Sequence, residues 1–510
     1  MQPENLKTHG PERVWLVPLI ATLTIVIFFL GFTRMFDAAF RGNDDTIYFY
    51  QMAVEQFHPG KSAPLHDEIR TYLAQQDHSE FLLRRWNFRA NNATHYLVMN
   101  TAIYGASRVI RQFVDGVRFD YALIISLSVA LGVIVGAMMA AAIFRWVIIS
   151  SNDAMLACGV ALGMAIIAIL NLLPLPASLT NPFGMSFGAL AGEKAAGTID
   201  FGSAAAFVFR IFLSGGAEYS VFGYTPRSQV FLIGLAVFLL RWRKAWLASY
   251  VLAAALSLFH HSMGGLFFAW LIAIDVIVRP QIFNLRIVAL CALVLTSALL
   301  RGTILADLQL RPFAVAGAVV AGLIATIWFV RRQNLNFALY DSLEKRLIAP
   351  FRHRLNQLGP IGSDLTVGIS LCLMIIPVAI VMNRIGDPYS AVVFWSDLVV
   401  RSLAMLQPAF FVGLTILAVR WVRARVVWDA NRFYSAVVGL AILLAVPVAF
   451  RAVTPTGLGR ATEQISQISP YIGRPLPELR TQGRDAVLHY AVAFQLDTGQ
   501  NVLGAMLARQ

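Results

Sequence analysis

Two adjacent carboxylates, Asp44 and Asp45, open the stretch DDTIYFYQMAVEQF a few residues beyond a long apolar run. Tyr48 lies four residues after Asp44 and three after Asp45, so a helix starting here carries acid and aromatic on one face. A carboxylate at such a point can take a proton from a hydroxyl held beside it. Two neighbouring acids can also raise the pKa of one of them, or share a divalent cation such as Mg or Mn. An ordinary helix start uses the same residues: Asp as N-cap, with a second acid favoured by the helix dipole.

A second group of chemically capable residues brackets a helical hairpin. It begins at YTPRS (224–228), where Pro226 suits a helix start and Arg227 follows it. Two apolar runs later comes FHHS (259–262), with His260 and His261. The hairpin brings both ends back to one side, where a guanidinium and two imidazoles suit a phosphate or diphosphate headgroup. Snorkelling by Arg227 and capping by the histidines would account for the same residues structurally. Arg84 and Arg85 in LLRRWNFR add further cations. Asp397 and Arg401 stand at i,i+4 and read as a structural ion pair, and Asp275, near the end of an apolar run, reads as structural too. Walker A, H-E-x-x-H and G-x-S-x-G motifs are absent, and no metal-ligand spacing occurs.

The elements that must position these residues are apolar helices. Of 510 residues, 58% are hydrophobic and 14% charged, and mean hydropathy is +0.66. Soluble domains lie nearer 45–50% apolar and about 25% charged. The excess sits in Leu, Ala, Ile, Val and Phe runs, not in alternating strand patterns, so the expected fold is an all-α polytopic membrane protein. Cys158, Cys291 and Cys372 lie inside apolar runs, where they act as small hydrophobes. The net charge of +13 then reflects cytoplasmic loops and gives no reason to expect nucleic acid as a partner.

Eleven apolar runs give about eleven transmembrane helices: 14–36, 121–144, 154–173, 229–240, 245–258, 264–278, 287–300, 313–330, 365–382, 398–419 and 434–450. Four regions follow: a cytoplasmic N-terminus with the first span (1–36), a large external loop with the acid pair and amphipathic surface helices (37–120), a multi-span body (121–450), and an external tail (451–510). The predicted inner loops hold sixteen Lys and Arg, and the short outer loops six, as the positive-inside rule requires. Three middle runs are short for a ~30 Å hydrocarbon core and suit a cavity lined by protein. The basic segment ALYDSLEKRLIAPFRHRL (338–355) suits anionic lipid of the inner leaflet.

In this arrangement the chain resembles the GT-C superfamily of membrane glycosyltransferases. The matching features are the Asp44–Asp45 pair just after the first span, the surface helices that follow, the short middle helices and the external tail. No WWDYG-like signature of the oligosaccharyltransferases occurs in the tail. The resemblance implies a multi-pass protein of a bacterial inner membrane, taking a sugar from a polyprenyl-phosphate donor on the outer face and passing it to a glycan or lipid acceptor. In that reading Asp44 or Asp45 is the base, while Tyr48, Arg84, Arg85, Arg227, His260 and His261 bind substrate. Two other classes fit the composition: a lipid-linked glycan transporter or flippase, and a non-catalytic membrane assembly protein.

Overall fold

The computed structural model describes residues 74, 105–106, 108–110, 112–113, 135–136, 138–151, 153–172, 227–259, 261–300, 349–385 and 401–453. Among these residues the structure is all-helical, without strands. The apolar stretch Met138–Ser151 is followed by α1 (Ala154–Leu172). Next come α2 (Arg227–Trp242), α3 (Trp246–Phe259) and α4 (His261–Val278). A 3-10 turn, Pro280–Ile282, leads into α5 (Leu285–Leu300). The remaining helices are α6 (Ala349–Gln357), α7 (Gly359–Ile385), α8 (Arg401–Arg423) and α9 (Ala430–Val453). Two stretches, Met405–Arg423 in α8 and Ala430–Val448 in α9, are long and apolar enough to cross a membrane. The acid pair Asp44–Asp45, Tyr48, Arg84, Arg85, His260 and most of the large first loop lie outside the described residues.

Every helix but the basic α6 follows an apolar run, and several ends are set by local chemistry. Asp153 caps α1, its Oδ1 accepting from the Leu156 amide at 3.0 Å. Asn284 caps α5 in the same way through the Ile287 amide, and Asp429 accepts from Asn431 and Arg432 at the start of α9. The α2–α3 turn closes on a Schellman pattern: the Ala245 amide reaches Leu240 O at 2.9 Å and the Lys244 amide reaches Arg241 O at 2.7 Å. That pattern puts Lys244 at φ 62°, a left-handed position glycine usually fills.

Side-chain pairs fix the helix directions. Phe238 of α2 meets Phe267 of α4 at 5.7 Å between ring centroids, and Arg241 meets Asp275, so α2 and α4 run parallel. Tyr250 of α3 packs edge-on against Phe268, and Gly264 abuts Ser257, so α3 runs against α4. In the pair α7–α8, Gly368 faces Leu406 and Gly413 faces Leu365, an antiparallel arrangement. The α1–α8 crossing is also close. A Cβ on Gly159 would fall 2.6 Å from Ile416 Cα, and one on Gly163 would fall 2.8 Å from Val412 Cα. Two glycines four residues apart let the backbones approach, and Thr415 Oγ1 then donates to Gly159 O at 2.6 Å. One apolar core runs through α1, α2, α3, α4, α8 and α9.

These directions collect five connections at one end of the bundle: residues 151–154, 243–245, 279–284, 357–359 and 424–429. Contacts link them laterally. Arg243 donates to Ser150 Oγ and O at 3.0 and 2.8 Å, and Arg420 lies 3.6 Å from Asp153. The predicted inner-loop arginines and lysine of these segments therefore share one end.

Candidate functional site

Beneath that end lies a polar cluster in a mainly apolar interior. Arg241 closes α2, Asp275 and Arg279 occupy the last turn of α4 and the residue after it, and Ser363 and Asp364 lie in the second turn of α7. Arg241 and Asp275 are 0% exposed, Asp364 1% and Arg279 5%. Two of the cations that the sequence assigns to inner loops, Arg241 and Arg279, are thus interior groups matched by carboxylates.

The hydrogen bonds nearly saturate the cluster. Arg241 meets Asp275 with two parallel bonds, Nη1 to Oδ2 at 2.6 Å and Nη2 to Oδ1 at 2.7 Å. Its other edge meets Asp364, Nε to Oδ2 and Nη2 to Oδ1, both at 3.2 Å. Arg279 bridges the same two acids, with Nη1 to Asp275 Oδ1 at 3.0 Å and Nη2 to Asp364 Oδ1 at 2.7 Å. Arg279 Nη2 also donates to Ser363 Oγ at 2.7 Å and Pro360 O at 3.3 Å. Tyr250 donates its hydroxyl to Asp275 Oδ2 at 2.8 Å, so each Asp275 oxygen accepts two bonds. The Trp246 ring covers both guanidinium groups, 4.7 Å from Arg279 Cζ and 5.6 Å from Arg241 Cζ.

Two guanidinium groups and two carboxylates make the cluster formally neutral. Charges buried this deeply persist only when paired and hydrogen-bonded, and a planar guanidinium is the cation that can satisfy two carboxylates at once. In chemical terms the site is a clasp. Asp275 has no oxygen left to accept a substrate proton, and the arginines are turned onto the acids. What the clasp does is fix α2, α4 and α7 against each other at one end.

The opposite end of α2 and α4 carries two of the residues with chemical potential. Arg227 is the first residue of α2 and His261 the first of α4. Because the two helices are parallel, both backbones begin at the end away from the clasp. Fourteen residues at 1.5 Å per residue put Arg227 about 21 Å from Arg241 along the axis. Their side chains, like the whole of His260 and of Asp397, fall outside the described residues. The described residues hold no group of three or more His, Cys, Asp or Glu that could bind a metal ion.

From sequence Asp275 reads as structural but is not paired with Arg241, and Asp364 carries no role. The signal was a lone ionisable residue at the end of an apolar run, with Arg279 at i,i+4. The Gly159–Gly163 spacing was equally visible. Comparison with known proteins returns no matching family model, no matching curated protein and no matching solved structure.

Proposed function

We propose that the chain is a polytopic protein of a bacterial inner membrane that acts as a GT-C-type glycosyltransferase on the outer face. The observation that carries the reading is the shared starting end of α2 and α4, with Arg227 and His261 as first residues and the clasp at the far end. An arginine and a histidine that open two parallel helices at the end away from the clasp are residue types suited to a phosphate headgroup. The apolar composition and the two long apolar helices support a membrane setting.

In the proposed reaction Asp44 or Asp45 removes the proton of an acceptor hydroxyl, on a glycan or a lipid. The hydroxyl oxygen attacks the anomeric carbon of a polyprenyl-phosphate sugar. The carbon–oxygen bond to phosphate breaks with inversion, and the polyprenyl phosphate leaves with the electron pair. Arg227, His260 and His261 hold that phosphate, while Arg84, Arg85 and Tyr48 orient the substrates. A divalent cation, Mg or Mn, held by the acid pair would add charge neutralisation at the phosphate.

The test is sugar transfer by the purified protein in proteoliposomes, using a panel of radiolabelled polyprenyl-phosphate sugars and membrane lipid extract as acceptor. Asp44→Asn with Asp45→Asn should abolish transfer while yield and gel-filtration elution stay unchanged. Full activity in the double variant would sink the assignment.

A transport reading has one specific observation in its favour: four ionisable side chains inside the bundle, the kind of group that lines membrane pathways. Flipping of a fluorescent polyprenyl-linked glycan across the same proteoliposomes, lost on replacing Arg241 by Gln, would favour transport over transfer.

A further inference from the structure

The end of the bundle above the clasp has a surface of its own. The turn between α8 and α9 joins the two helices long enough to cross a membrane. Trp428 (54%) and Val427 (100%) are exposed in it, and Trp421 (58%) in the last turn of α8. Arg425 stacks on Trp421, its Cζ 3.9 Å from the ring centroid, and Arg423 donates to Trp428 O at 3.1 Å. The turn is joined to its neighbours through Arg420 and Asp153, and those through Ser150 to Arg243. Exposed Arg145 and Trp146 stand about one turn before Ser150 and add a further tryptophan and arginine to this end.

Charge on this surface is one-sided. Arg145, Arg243, Lys244, Arg425 and Arg432 are all exposed. Among the described residues only Asp153 and Asp429 supply carboxylates outside the buried clasp. Their partners at 3.6 and 3.5 Å are Arg420 and Arg432. The clasp itself is formally neutral and contributes no net charge. Exposed indole rings settle where hydrocarbon meets headgroups, and guanidinium groups beside them meet phosphate. A protein partner of acidic character would match the cations but would leave the helix-end tryptophans and Val427 without a reason to lie at the ends of two apolar helices.

We propose that this end, centred on the α8–α9 turn, is a binding surface for anionic phospholipid headgroups, with Trp421 and Trp428 seated at the headgroup level and Arg425, Arg432 and Arg145 engaging lipid phosphate. The proposal rests on the membrane reading above but not on glycosyl transfer. Surface cations near an anionic leaflet each contribute about a fivefold preference.

The experiment has three arms on the full-length protein. Carbonate extraction of membranes first tests the membrane setting; release into the soluble fraction would overturn that reading and the proposal with it. Native mass spectrometry of protein from mixed phosphatidylglycerol and phosphatidylcholine micelles then reads lipid preference. The wild-type protein should retain phosphatidylglycerol several-fold over phosphatidylcholine. Combined Arg145→Gln, Arg425→Gln and Arg432→Gln should lower that preference at least fivefold, and Lys at the same positions should restore most of it. Equal retention of the two lipids by the wild type, or an unchanged preference in the triple Gln variant, would overturn the proposal. Inorganic phosphate in excess forms the third arm: it should not displace the lipid, and displacement would reassign the surface to free phosphate. All three residues are exposed, so elution of the variants as folded protein is expected and is checked by gel filtration.

Discussion

The bundle is held by two unlike contacts. At the α1–α8 crossing, Gly159 and Gly163 bring backbone against backbone, and the polar element is one threonine hydroxyl on one carbonyl. At the α2–α4–α7 junction, two arginines and two aspartates meet under a tryptophan lid. The first contact gains by close packing and asks for no partner it cannot find locally. The second is strong only as a whole: each charge is tolerable because three others are in place. One contact should therefore respond gradually to small changes, the other abruptly to the loss of a single group.

The sharpest way to break the comparison is at Asp275. Asp275→Ala leaves two buried guanidinium groups with one carboxylate, and thermal unfolding in detergent should show a loss of about 3–5 kcal/mol. Replacing Arg241, Asp275, Arg279 and Asp364 together by apolar residues of similar volume should recover most of that loss. If the single variant is as stable as wild type, the cluster is not a cooperative clasp. Next comes Gly159→Val, whose side chain meets the Ile416 backbone; separating the helices should cost about 1–3 kcal/mol in the same assay. Thr415→Val removes the interhelical hydrogen bond but keeps the shape, and a loss of about 0.6 kcal/mol is expected. A gain of similar size, about 0.5–1 kcal/mol, is expected from Lys244→Gly, where the relief of the left-handed backbone at the α2–α3 turn outweighs the extra chain entropy of glycine. Salt sharpens the contrast: titration to 1 M should leave the buried clasp unaffected, while the half-exposed Arg420–Asp153 pair is screened.

Most of the described architecture was legible as helices. The run 245–258 became Trp246–Phe259, 264–278 became His261–Val278, and 154–173 became Ala154–Leu172. Apolar periodicity and end signals are local properties, and they carry that far. Pairing was not legible. Arg241 and Asp364 stand 123 residues apart, and no local pattern announces that they share a hydrogen bond. Arg241 and Arg279 read as loop cations because a charge at the edge of an apolar run is usually solvated; packing of α2, α4 and α7 is what buries them. The acid pair Asp44–Asp45, the centre of the chemical expectation, lies outside the described residues, so its place in the site rests on the proposed reading.

Sequence alone determined that the described part of this chain is built mainly of apolar helices, and where most of them begin and end. Hydrophobic transfer and capping act within a few residues, so composition and spacing suffice for them. Only the tertiary structure decided which helices run parallel, that Gly159 and Gly163 are a crossing point, and that four charges scattered over more than a hundred residues form one neutral clasp. Those outcomes depend on which faces meet. Close packing and charge pairing act between surfaces, and a linear chain does not specify its neighbours until the helices are packed.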